Sequence, residues 1–510
     1  MTAPLSQIYA SVVHMLVAAA EATPDAEALV EGQTRLTYRD YVACVAAFAA
    51  ELAAHGVRGE RVATILPNSI DACIAAFGIL AAGAQHVPLN PLYTPREIGE
   101  ILSDAAARVL IAADDAASAL APLAESAGIG TLIALGPRAR SLSTLRASAV
   151  PLERLPDPDA LALLQYTGGT TGRAKGVNLS HRAIATNVAQ REGLLPTGTG
   201  ERILCVMPLF HAYAMAMGLF LAANCRGSLV VLPRYEPEKL LEAIGEERIT
   251  VFPGSPTIFV GLMAHPRFAR TSWSRVHTCY SGAAPLAEPV LRRWEAAVGT
   301  PILEGYGQTE AGPVLSFNPL HGVRKPGSVG IPVAATEIEI VDVETGARVL
   351  PPGERGEIRA RGPQIMQGYR NLPLETSEAL RGGWLYTGDI GELDADGYLT
   401  IRDRKKEMVI VGGYNVYPRE VEEVLFAHPA VMEAAALGAP DEYKGEIVRA
   451  YVVLKPGAHA SEEELLVHCR ANLAKYKVPS SIERLEAIPK TSVNKTDRQA
   501  LRGRASRGGL

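Results

Sequence analysis

Glycine and threonine are concentrated in one short segment, YTGGTTGRAKG, at residues 166–176. It follows the apolar run ALALLQ, which we predict to be a buried strand. Backbone N–H groups of a glycine-rich loop and threonine hydroxyls can surround phosphate oxygens, and Arg173 and Lys175 add positive charge. We therefore predict a phosphate-binding loop rather than a flexible surface loop. Its contact residues are Thr167, Gly168, Gly169, Thr170, Thr171, Gly172 and Lys175.

The spacing of this segment differs from that of the Walker A loop. In the pattern GxxxxGK[ST] the lysine directly follows a glycine, whereas two residues separate Gly172 from Lys175. A P-loop NTPase is therefore disfavoured.

The same segment resembles the phosphate-loop signature of the adenylate-forming superfamily, which includes acyl-CoA synthetases, nonribosomal peptide synthetase adenylation domains and firefly luciferase. Six further segments resemble later motifs of that family, in order and at compatible spacing over nearly the whole chain. They are MPLFHAYAM (207–215), YSGAAPL (280–286), GYGQTE (305–310), YTGD (386–389), DRKKEMVIVGGYNVYP (403–418) and PKTSVNK (489–495). The resemblance implies an acyl-CoA synthetase that uses ATP, Mg2+ and coenzyme A.

The resemblance assigns nucleotide and metal contacts to five residues. Attack of a carboxylate on the α-phosphate brings two anions together, so the site must supply cations, a metal ion and oriented hydroxyls. Glu310 matches the family's magnesium-binding acid, and Thr309 and Thr170 can direct hydroxyls at the same phosphate oxygens, with Thr170 as a second metal contact. Asp389 matches the acid that accepts both ribose hydroxyls, and Arg404 matches the arginine that also reaches the ribose. An exposed ion pair is the alternative interpretation of Asp389 and Arg404.

A lysine near the C-terminus is the predicted catalytic residue of the first half-reaction. Lys495 matches the family's lysine that bridges the substrate carboxylate and the α-phosphate and offsets the charge of the transition state. Asn494 stands where the family usually has glycine, and we expect the loop to tolerate it because asparagine accepts left-handed backbone. Lys406 lies at the family's hinge position, and Gly412 and Gly413 match the glycines beside which the pantetheine arm of coenzyme A passes.

One histidine and several small residues form the predicted substrate side of the site. His211 matches a wall of the family's acyl site near the carboxylate, and we count it among the candidate catalytic residues. The residues that match the segments enclosing adenine and the carboxylate are Gly282, Ala283, Ala284, Gly305, Tyr306 and Gly307. Close packing of sheet and helix would also explain small residues at these places.

The stretches that we expect to line the acyl pocket, at 214–222, 251–263 and 312–317, are apolar or small. They contain no arginine for a second carboxylate, and no acid for an ammonium group stands near His211. We therefore predict a medium- or long-chain fatty acid as substrate, with an aryl acid such as benzoate or a cinnamate as the alternative. A relative that binds acyl groups or nucleotide without turnover is the alternative of a different class, and Asn494 is the feature in its favour.

Composition places these motifs in an ordinary globular protein. The chain has 510 residues, with 50 Lys and Arg against 55 Asp and Glu, and its formal net charge of -5 argues against nucleic-acid binding. Its six cysteines form no CxxC pair, which favours a reduced, cytoplasmic setting. The N-terminus lacks the features of a signal peptide. The oligomeric state stays open, with a homodimer as one option.

Two further stretches call for interpretation. Residues 203–225 carry no formal charge, but Pro208, His211 and Tyr213 interrupt them, so we predict a buried strand, loop and helix rather than a membrane span. The final segment LRGRASRGGL, residues 501–510, is typical of a frayed basic tail.

The elements that must position these residues follow two patterns. The first half alternates short β-rich runs with helical segments, as in a mainly parallel sheet with covering helices. Thr94 predicts the start of a helix over 95–105, with Glu97 as its capping acid, and Thr37 with Asp40 predicts another from residue 38 that Gly56 ends.

The pattern changes in the second half of the chain. Strands and turns predominate after residue 330, and helix and strand alternate after the charged run DRKKE (403–407), which is typical of a solvated linker. We therefore predict an α/β fold. A large N-terminal domain, 1–403, has parallel-rich sheets, covering helices and a β-rich subdomain, and a small mobile α+β C-terminal domain, 404–510, turns about a hinge near Lys406.

Overall fold

The computed structural model describes residues 8–148, 150–152, 154–167, 174–405, 407–411, 414–441, 445–491 and 496–505. Eleven residues with predicted roles in the site or the hinge lie outside these ranges. They are Gly168, Gly169, Thr170, Thr171, Gly172, Arg173, Lys406, Gly412, Gly413, Asn494 and Lys495.

Helices and strands alternate along most of the chain. The helices are α1 (Val12–Ala22), α2 (Tyr38–Ala54), α3 (Ile70–Ala81), α4 (Pro95–Ala105), α5 (Ala117–Ser126), α6 (His181–Glu192), α7 (Ala212–Ala214), α8 (Phe220–Cys225), α9 (Pro237–Glu246), α10 (Pro256–Ala264), α11 (Glu288–Val298), α12 (Pro373–Ala379), α13 (Pro418–Ala427), α14 (Glu462–Asn472) and α15 (Arg498–Ala505). The strands up to residue 332 are β1 (Glu27–Glu31), β2 (Thr34–Thr37), β3 (Arg61–Ile65), β4 (Gln85–Pro88), β5 (Val109–Ala113), β6 (Thr131–Leu135), β7 (Leu161–Thr167), β8 (Lys175–Ser180), β9 (Arg202–Cys205), β10 (Ser228–Val231), β11 (Val251–Gly254), β12 (Thr278–Ser281), β13 (Ile302–Gly307), β14 (Val314–Phe317) and β15 (Ile331–Pro332). The later strands are β16 (Glu337–Val341), β17 (Gly356–Arg361), β18 (Gly368–Tyr369), β19 (Leu380–Arg381), β20 (Trp384–Leu393), β21 (Leu399–Arg404), β22 (Val409–Val411), β23 (Tyr414–Val416), β24 (Val431–Asp441), β25 (Gly445–Leu454) and β26 (Ser481–Arg484).

Two large sheets with parallel centres make up the first part of the chain. One has the order β15-β14-β13-β12-β11-β9-β10-β1-β2, and its strands from β13 through β1 run parallel. The other has the order β18-β8-β7-β4-β3-β5-β6 and is parallel from β7 to β6. Parallel neighbours need long crossover connections, which helices supply here. The prediction of a parallel-rich α/β region is confirmed.

The two later sheets are mainly antiparallel. Strands β16, β17, β20, β19 and β21 form the predicted β-rich region. Strands β22 to β26 form the last sheet, and side chains of α13 and α14 pack into its core. The predicted α+β character of this region is confirmed.

Sequence signals for helix ends agree with the structure. The Thr37 hydroxyl accepts from the backbone N–H of Asp40, whose carboxylate accepts in return from the N–H of Thr37. Thr94 and Glu97 form the same reciprocal pair at the start of α4. Each box satisfies backbone donors that a helix start leaves unpaired.

The uncharged stretch at 203–225 folds as predicted into the buried strand β9, a loop and the helical segment that ends with α8. A π-helical turn, Met215–Leu219, lies within that segment. Among the helices that the structure describes, none has the length and apolar character needed to cross a bilayer.

Two expectations about charged segments were wrong. The start of the supposed frayed tail is helical, because Leu501 is fully buried and Arg502 Nη2 lies 2.6 Å from Glu407 Oε2. The run DRKKE is not a solvated linker at its start: Asp403 is buried at the end of β21, and Lys405 Nζ lies 2.8 Å from Glu357 Oε2.

Candidate active site

The predicted substrate-side residues meet at one edge of the nine-stranded sheet. Because β9, β12 and β13 run parallel, the segments that follow their carboxyl ends lie along the same edge, where open α/β sheets bind ligands. His211 follows β9, the segment 282–284 follows β12, and Gly305, Tyr306 and Gly307 end β13.

The phosphate-loop segment connects two antiparallel strands rather than a strand and a helix. Thr167 ends β7 and pairs with Lys175 at the start of β8, and the Thr167 hydroxyl donates to the Lys175 carbonyl at 3.5 Å. Helix α6 begins only at His181. The described ends of this hairpin therefore place Thr167 and Lys175 beside each other at the mouth of the loop.

Glu310 follows β13 in a short 3-10 turn, Thr309–Ala311. Its Oε1 accepts a hydrogen bond of 2.9 Å from the Tyr369 hydroxyl, and its carbonyl accepts one of 2.9 Å from the N–H of Met366. Burial raises the pKa of Glu310, because a carboxylate loses hydration there. No Lys or Arg of the described ranges forms an ion pair with it. A hard carboxylate oxygen without a protein cation fits Mg2+, which binds through one or two carboxylates together with substrate phosphates.

Asp389 lies on β20 opposite Arg404 of β21. Its Oδ2 accepts a hydrogen bond of 2.5 Å from the Tyr306 hydroxyl, while Arg404 Nε lies 3.6 Å from Oδ1, too far for a hydrogen bond. Burial, followed by the adjacent Asp389 carboxylate, raises the pKa of Tyr306, so the phenol remains a donor. A ribose hydroxyl would therefore meet a carboxylate that the Tyr306 hydroxyl already orients.

His211 and its neighbours form a tight wall. The Nδ1 atom of His211 accepts from the N–H of Tyr213 at 3.2 Å, which caps α7. A Cβ at Gly282 would lie 2.5 Å from the Tyr213 ring, and Ala283 adopts a left-handed φ of 67°. The buried Tyr213 hydroxyl has no hydrogen-bond partner among the described residues. The Tyr213 ring thus leaves no room for a side chain at Gly282.

The glycines of β13 also serve packing. A Cβ at Gly305 would lie 2.3 Å from the Phe317 ring, and one at Gly307 would lie 1.8 Å from the carbonyl oxygen of Pro313. These contacts explain both glycines without a ligand. Their predicted contact with nucleotide stays a prediction.

Two residues that the sequence did not indicate hold the site together. Gln165 Nε2 donates to the carbonyl of Phe210 at 2.5 Å, which ties β7 to the segment that carries His211. Tyr369 joins Glu310 to the phosphate-loop hairpin, because β18 pairs with β8 and Lys175 Nζ lies 5.0 Å from the Tyr369 ring centroid. The Tyr369–Glu310 bond spans 59 positions, and no local spacing could reveal it.

The sequence model described as AMP-binding enzyme matches residues 16–370, and that described as AMP-binding enzyme C-terminal domain matches residues 420–495. The chain belongs to the AMP-binding enzyme family. A long-chain-fatty-acid–CoA ligase of Bacillus subtilis (strain 168) is 37% identical over 94% of this chain and 91% of its own length. A feruloyl-CoA synthase of an Amycolatopsis species is 36% identical over 93% of this chain and 95% of its own length.

Solved structures of similar proteins share the fold of this AMP-binding enzyme over nearly the whole chain. ATP-bound MatB from Rhodopseudomonas palustris superposes with a TM-score of 0.90 at 31% identity, covering 97% of this chain and 98% of that one. Apo MatB gives a TM-score of 0.81 over the same shares at 32% identity. The chain therefore superposes better on the ATP-bound structure than on the apo structure.

Proposed function

We propose that this AMP-binding enzyme is an ATP-dependent carboxylate–CoA ligase for an apolar monocarboxylic acid, with a medium- or long-chain fatty acid as its substrate. The observation that carries the ligase assignment is the meeting of Glu310, Asp389 and Lys175 around the ends of β13 and the β7–β8 hairpin. These groups offer a carboxylate for a metal ion, an oriented acceptor for ribose and a cation for phosphate.

The reaction has two steps that use one reaction centre. In the first, a carboxylate oxygen of the acid attacks the α-phosphorus of ATP, and pyrophosphate leaves. In the second, the sulfur of coenzyme A attacks the carbonyl carbon of the acyl-adenylate, and AMP leaves. The smaller domain, 404–510, turns relative to 1–403 about a hinge near Lys406 between the steps.

Each group in the site has a distinct task in this proposal. Glu310 and Thr170 would hold Mg2+ at the phosphates, and Thr309 would direct its hydroxyl at the same phosphate oxygens. When bound, Mg2+ supplies positive charge that offsets the phosphate oxygens. Asp389 and Arg404 hold the ribose, and Lys495 bridges the two anions of the first step.

Burial of the apolar pocket stretch favours a hydrophobic acyl chain. Residues 214–222 are all buried and uncharged, and the π-helical turn Met215–Leu219 lies in their centre. Pockets of this composition bind ligands mainly by excluding water. The 37% sequence identity with the Bacillus subtilis long-chain-fatty-acid–CoA ligase also favours a fatty acid as substrate.

An aryl acid is the second candidate substrate, and one observation favours it. The Tyr213 hydroxyl is buried without a partner in the described part of the chain, so a polar substituent on an aromatic acid could accept its hydrogen bond. The similarity to the feruloyl-CoA synthase fits this alternative.

A substrate panel tests the proposal. Pyrophosphate release would be measured with ATP and Mg2+ across C2 to C18 fatty acids, benzoate, coumarate, malonate and amino acids, with and without coenzyme A. We expect turnover that depends on coenzyme A and is greatest for fatty acids of medium or long chain. A preference for coumarate would select the aryl alternative, and silence across the panel from folded protein that binds ATP would contradict the ligase.

Lys495 provides a second test. Lys495→Ala should lose adenylate formation while still making thioester from supplied acyl-AMP, because the lysine serves only the first step. The matched control is Lys239→Ala, which removes an exposed lysine paired with Glu236. Unchanged adenylation in Lys495→Ala would contradict the role of that lysine.

We also assign the protein to the cytoplasm. All six cysteines are buried and unpaired, as suits a reducing compartment. Fractionation of cells that express the tagged protein tests this assignment.

A further inference from the structure

Tyr369 contacts two charged side chains, Glu310 and Lys175, which we propose to face the phosphates of ATP. Its hydroxyl donates to Glu310 Oε1 at 2.9 Å, and Lys175 Nζ lies over its ring at 5.0 Å from the centroid. Tyr369 thus contacts Glu310 through its hydroxyl and Lys175 through the face of its ring. Cations are attracted to the face of an aromatic ring, and carboxylates accept from the hydroxyl.

The backbone around Tyr369 is fixed from three sides. Its own N–H donates to the Thr376 hydroxyl at 2.9 Å, and Arg370 N–H donates to the Gly176 carbonyl at 2.7 Å. Strand β18 pairs with β8, with Tyr369 opposite Val177. The backbone N–H of Met366, three residues before Tyr369, donates to the carbonyl of Glu310. The ring is therefore held on a rigid connection between the phosphate-loop hairpin and the turn that carries Glu310.

We propose that Tyr369 is a positioning residue that orients the Glu310 carboxylate for Mg2+ and holds Lys175 apart from it. A lysine and a glutamate that face one polyphosphate would neutralise each other if they paired directly. With Lys175 on the ring face and Glu310 on the hydroxyl, each charge is presented to the ligand rather than to the other. This inference rests on the proposed function for the identity of the metal and the nucleotide.

Two substitutions of Tyr369 distinguish its contact with Glu310 from its contact with Lys175. Tyr369→Phe removes only the hydroxyl, so Glu310 loses its orienting donor while Lys175 keeps the ring. Tyr369→Leu removes both contacts. The first variant should weaken the contribution of Mg2+ to ATP binding, and the second should also weaken the binding of ATP without metal.

Calorimetric titration of ATP, once with Mg2+ and once with EDTA, measures both quantities without any acid substrate. We expect Mg2+ to strengthen ATP binding in the wild type, and Tyr369→Phe to reduce that gain about tenfold, the size of a hydrogen bond to a charged group. Affinity in EDTA should stay unchanged in Tyr369→Phe and fall in Tyr369→Leu. In turnover assays Tyr369→Phe should need more Mg2+ with an unchanged KM for the acid.

Tyr398→Phe is the matched control. The Tyr398 hydroxyl also donates to an oxygen, the carbonyl of Val323 at 2.7 Å, and Lys325 Nζ lies 4.4 Å from its ring centroid, away from the site. This variant should bind ATP as the wild type does under both conditions. A loss equal to that of Tyr369→Phe would show general destabilisation and overturn the inference.

A double variant tests whether Tyr369 acts through Glu310. Tyr369→Phe should add no further loss of the Mg2+ effect in a Glu310→Gln background, because the carboxylate that it orients is gone. Additive losses of the Mg2+ effect in the double variant would overturn the inference. It would also be overturned if Mg2+ did not change the affinity of the wild type for ATP. Failure of the proposed ligase function would appear separately, as absence of turnover with every acid despite Mg2+-dependent ATP binding.

Discussion

At the scale of single residues, Asp389 is oriented by a neighbouring phenol rather than by a close ion pair. The Tyr306 hydroxyl donates to Asp389 Oδ2 at 2.5 Å, whereas Arg404 is 3.6 Å away and half exposed. A hydrogen bond from a half-buried ring orients a carboxylate better than a more distant, half-exposed arginine does.

Tyr306→Phe should therefore raise the KM for ATP by about tenfold and change kcat less, because binding of the ribose is affected more than the chemical step. Steady-state kinetics with ATP as the varied substrate measure both constants. Tyr386→Phe is the control, since Tyr386 lies on β20, the strand of Asp389, but its hydroxyl donates to the Gly346 carbonyl. A reduced kcat at an unchanged KM would contradict this role of Tyr306.

Glu304 makes stability depend on pH. It is buried on β13, where Oε1 accepts from the N–H of Leu286, and Arg419 and Glu423 of α13 face it from the other domain. Burial raises the pKa of Glu304 to about 7, although Arg419 acts in the opposite direction. A raised carboxyl pKa favours the protonated folded state, so its contribution is full below about pH 4.5 and is lost as the pH rises through about 7.

Glu304→Gln should leave stability unchanged at pH 4.5 and raise it at pH 8 by on the order of 2 kcal/mol, because an amide cannot ionise. Chemical denaturation at both pH values measures the difference. The exposed residue Glu378 supplies the control variant Glu378→Gln, which should match the wild type at each pH. A Glu304→Gln effect of equal size at both pH values would refute this explanation.

At the scale of elements, α15 anchors the segment that follows Lys495. Arg498 Nη2 lies 2.8 Å from Glu422 Oε1, and Asp403 attracts the same guanidinium. The N–H of Asp497, just before this helix, donates to the Pro489 carbonyl at 2.8 Å. The start of α15 is therefore held by a half-buried ion pair.

Arg498→Ala should reduce adenylate formation at least tenfold and affect thioester formation from supplied acyl-AMP much less. Removing Arg498 leaves the half-buried Glu422 without its partner and loosens the start of α15. The two half-reactions are measured separately, with Arg504→Ala on the exposed face of α15 as the control. Equal loss in both half-reactions would point to unfolding instead.

Local signals in the sequence predicted the elements whose causes are local. Thr37 and Thr94 cap their helices through residues three positions away, so spacing alone revealed them. The helix α15 was missed because its anchors are remote: Arg502 pairs with Glu407 across 95 positions. In the site, motifs gave Glu310 and Asp389 but not Tyr369 or Gln165, which act through contacts between distant strands.

At the scale of the whole molecule, ion pairs hold the last domain against the β-rich region. Arg355 pairs with Glu420 of α13 and, at 3.0 Å, with Glu392 of β20, and Lys477 Nζ lies 2.5 Å from Glu420 Oε2. The buried hydrophobic clusters separate near residue 400, those before it ending at Leu399 and those after it beginning at Val409. Because polar contacts join the two regions and each has its own hydrophobic core, the regions can change their position relative to each other.

Arg355→Ala should shift the domains away from the described arrangement. Ion pairs at this exposure contribute up to about 1 kcal/mol, a factor of about five in the ratio of two arrangements. Distances between fluorescent labels on the two domains would report the shift, and high salt should mimic it in the wild type. Arg361→Ala, which removes a pair with Glu337 within the β-rich region, should leave those distances unchanged. An unaltered distance distribution in Arg355→Ala would refute this role.

The burial of all six cysteines makes that experiment practical. Burial raises the pKa of every one of these thiols, so few thiolates form at neutral pH and reagents reach them slowly. Maleimide dyes should therefore react with cysteines introduced on the surface and spare the native ones. The wild-type chain can thus serve directly as the background for attaching a donor to one domain and an acceptor to the other.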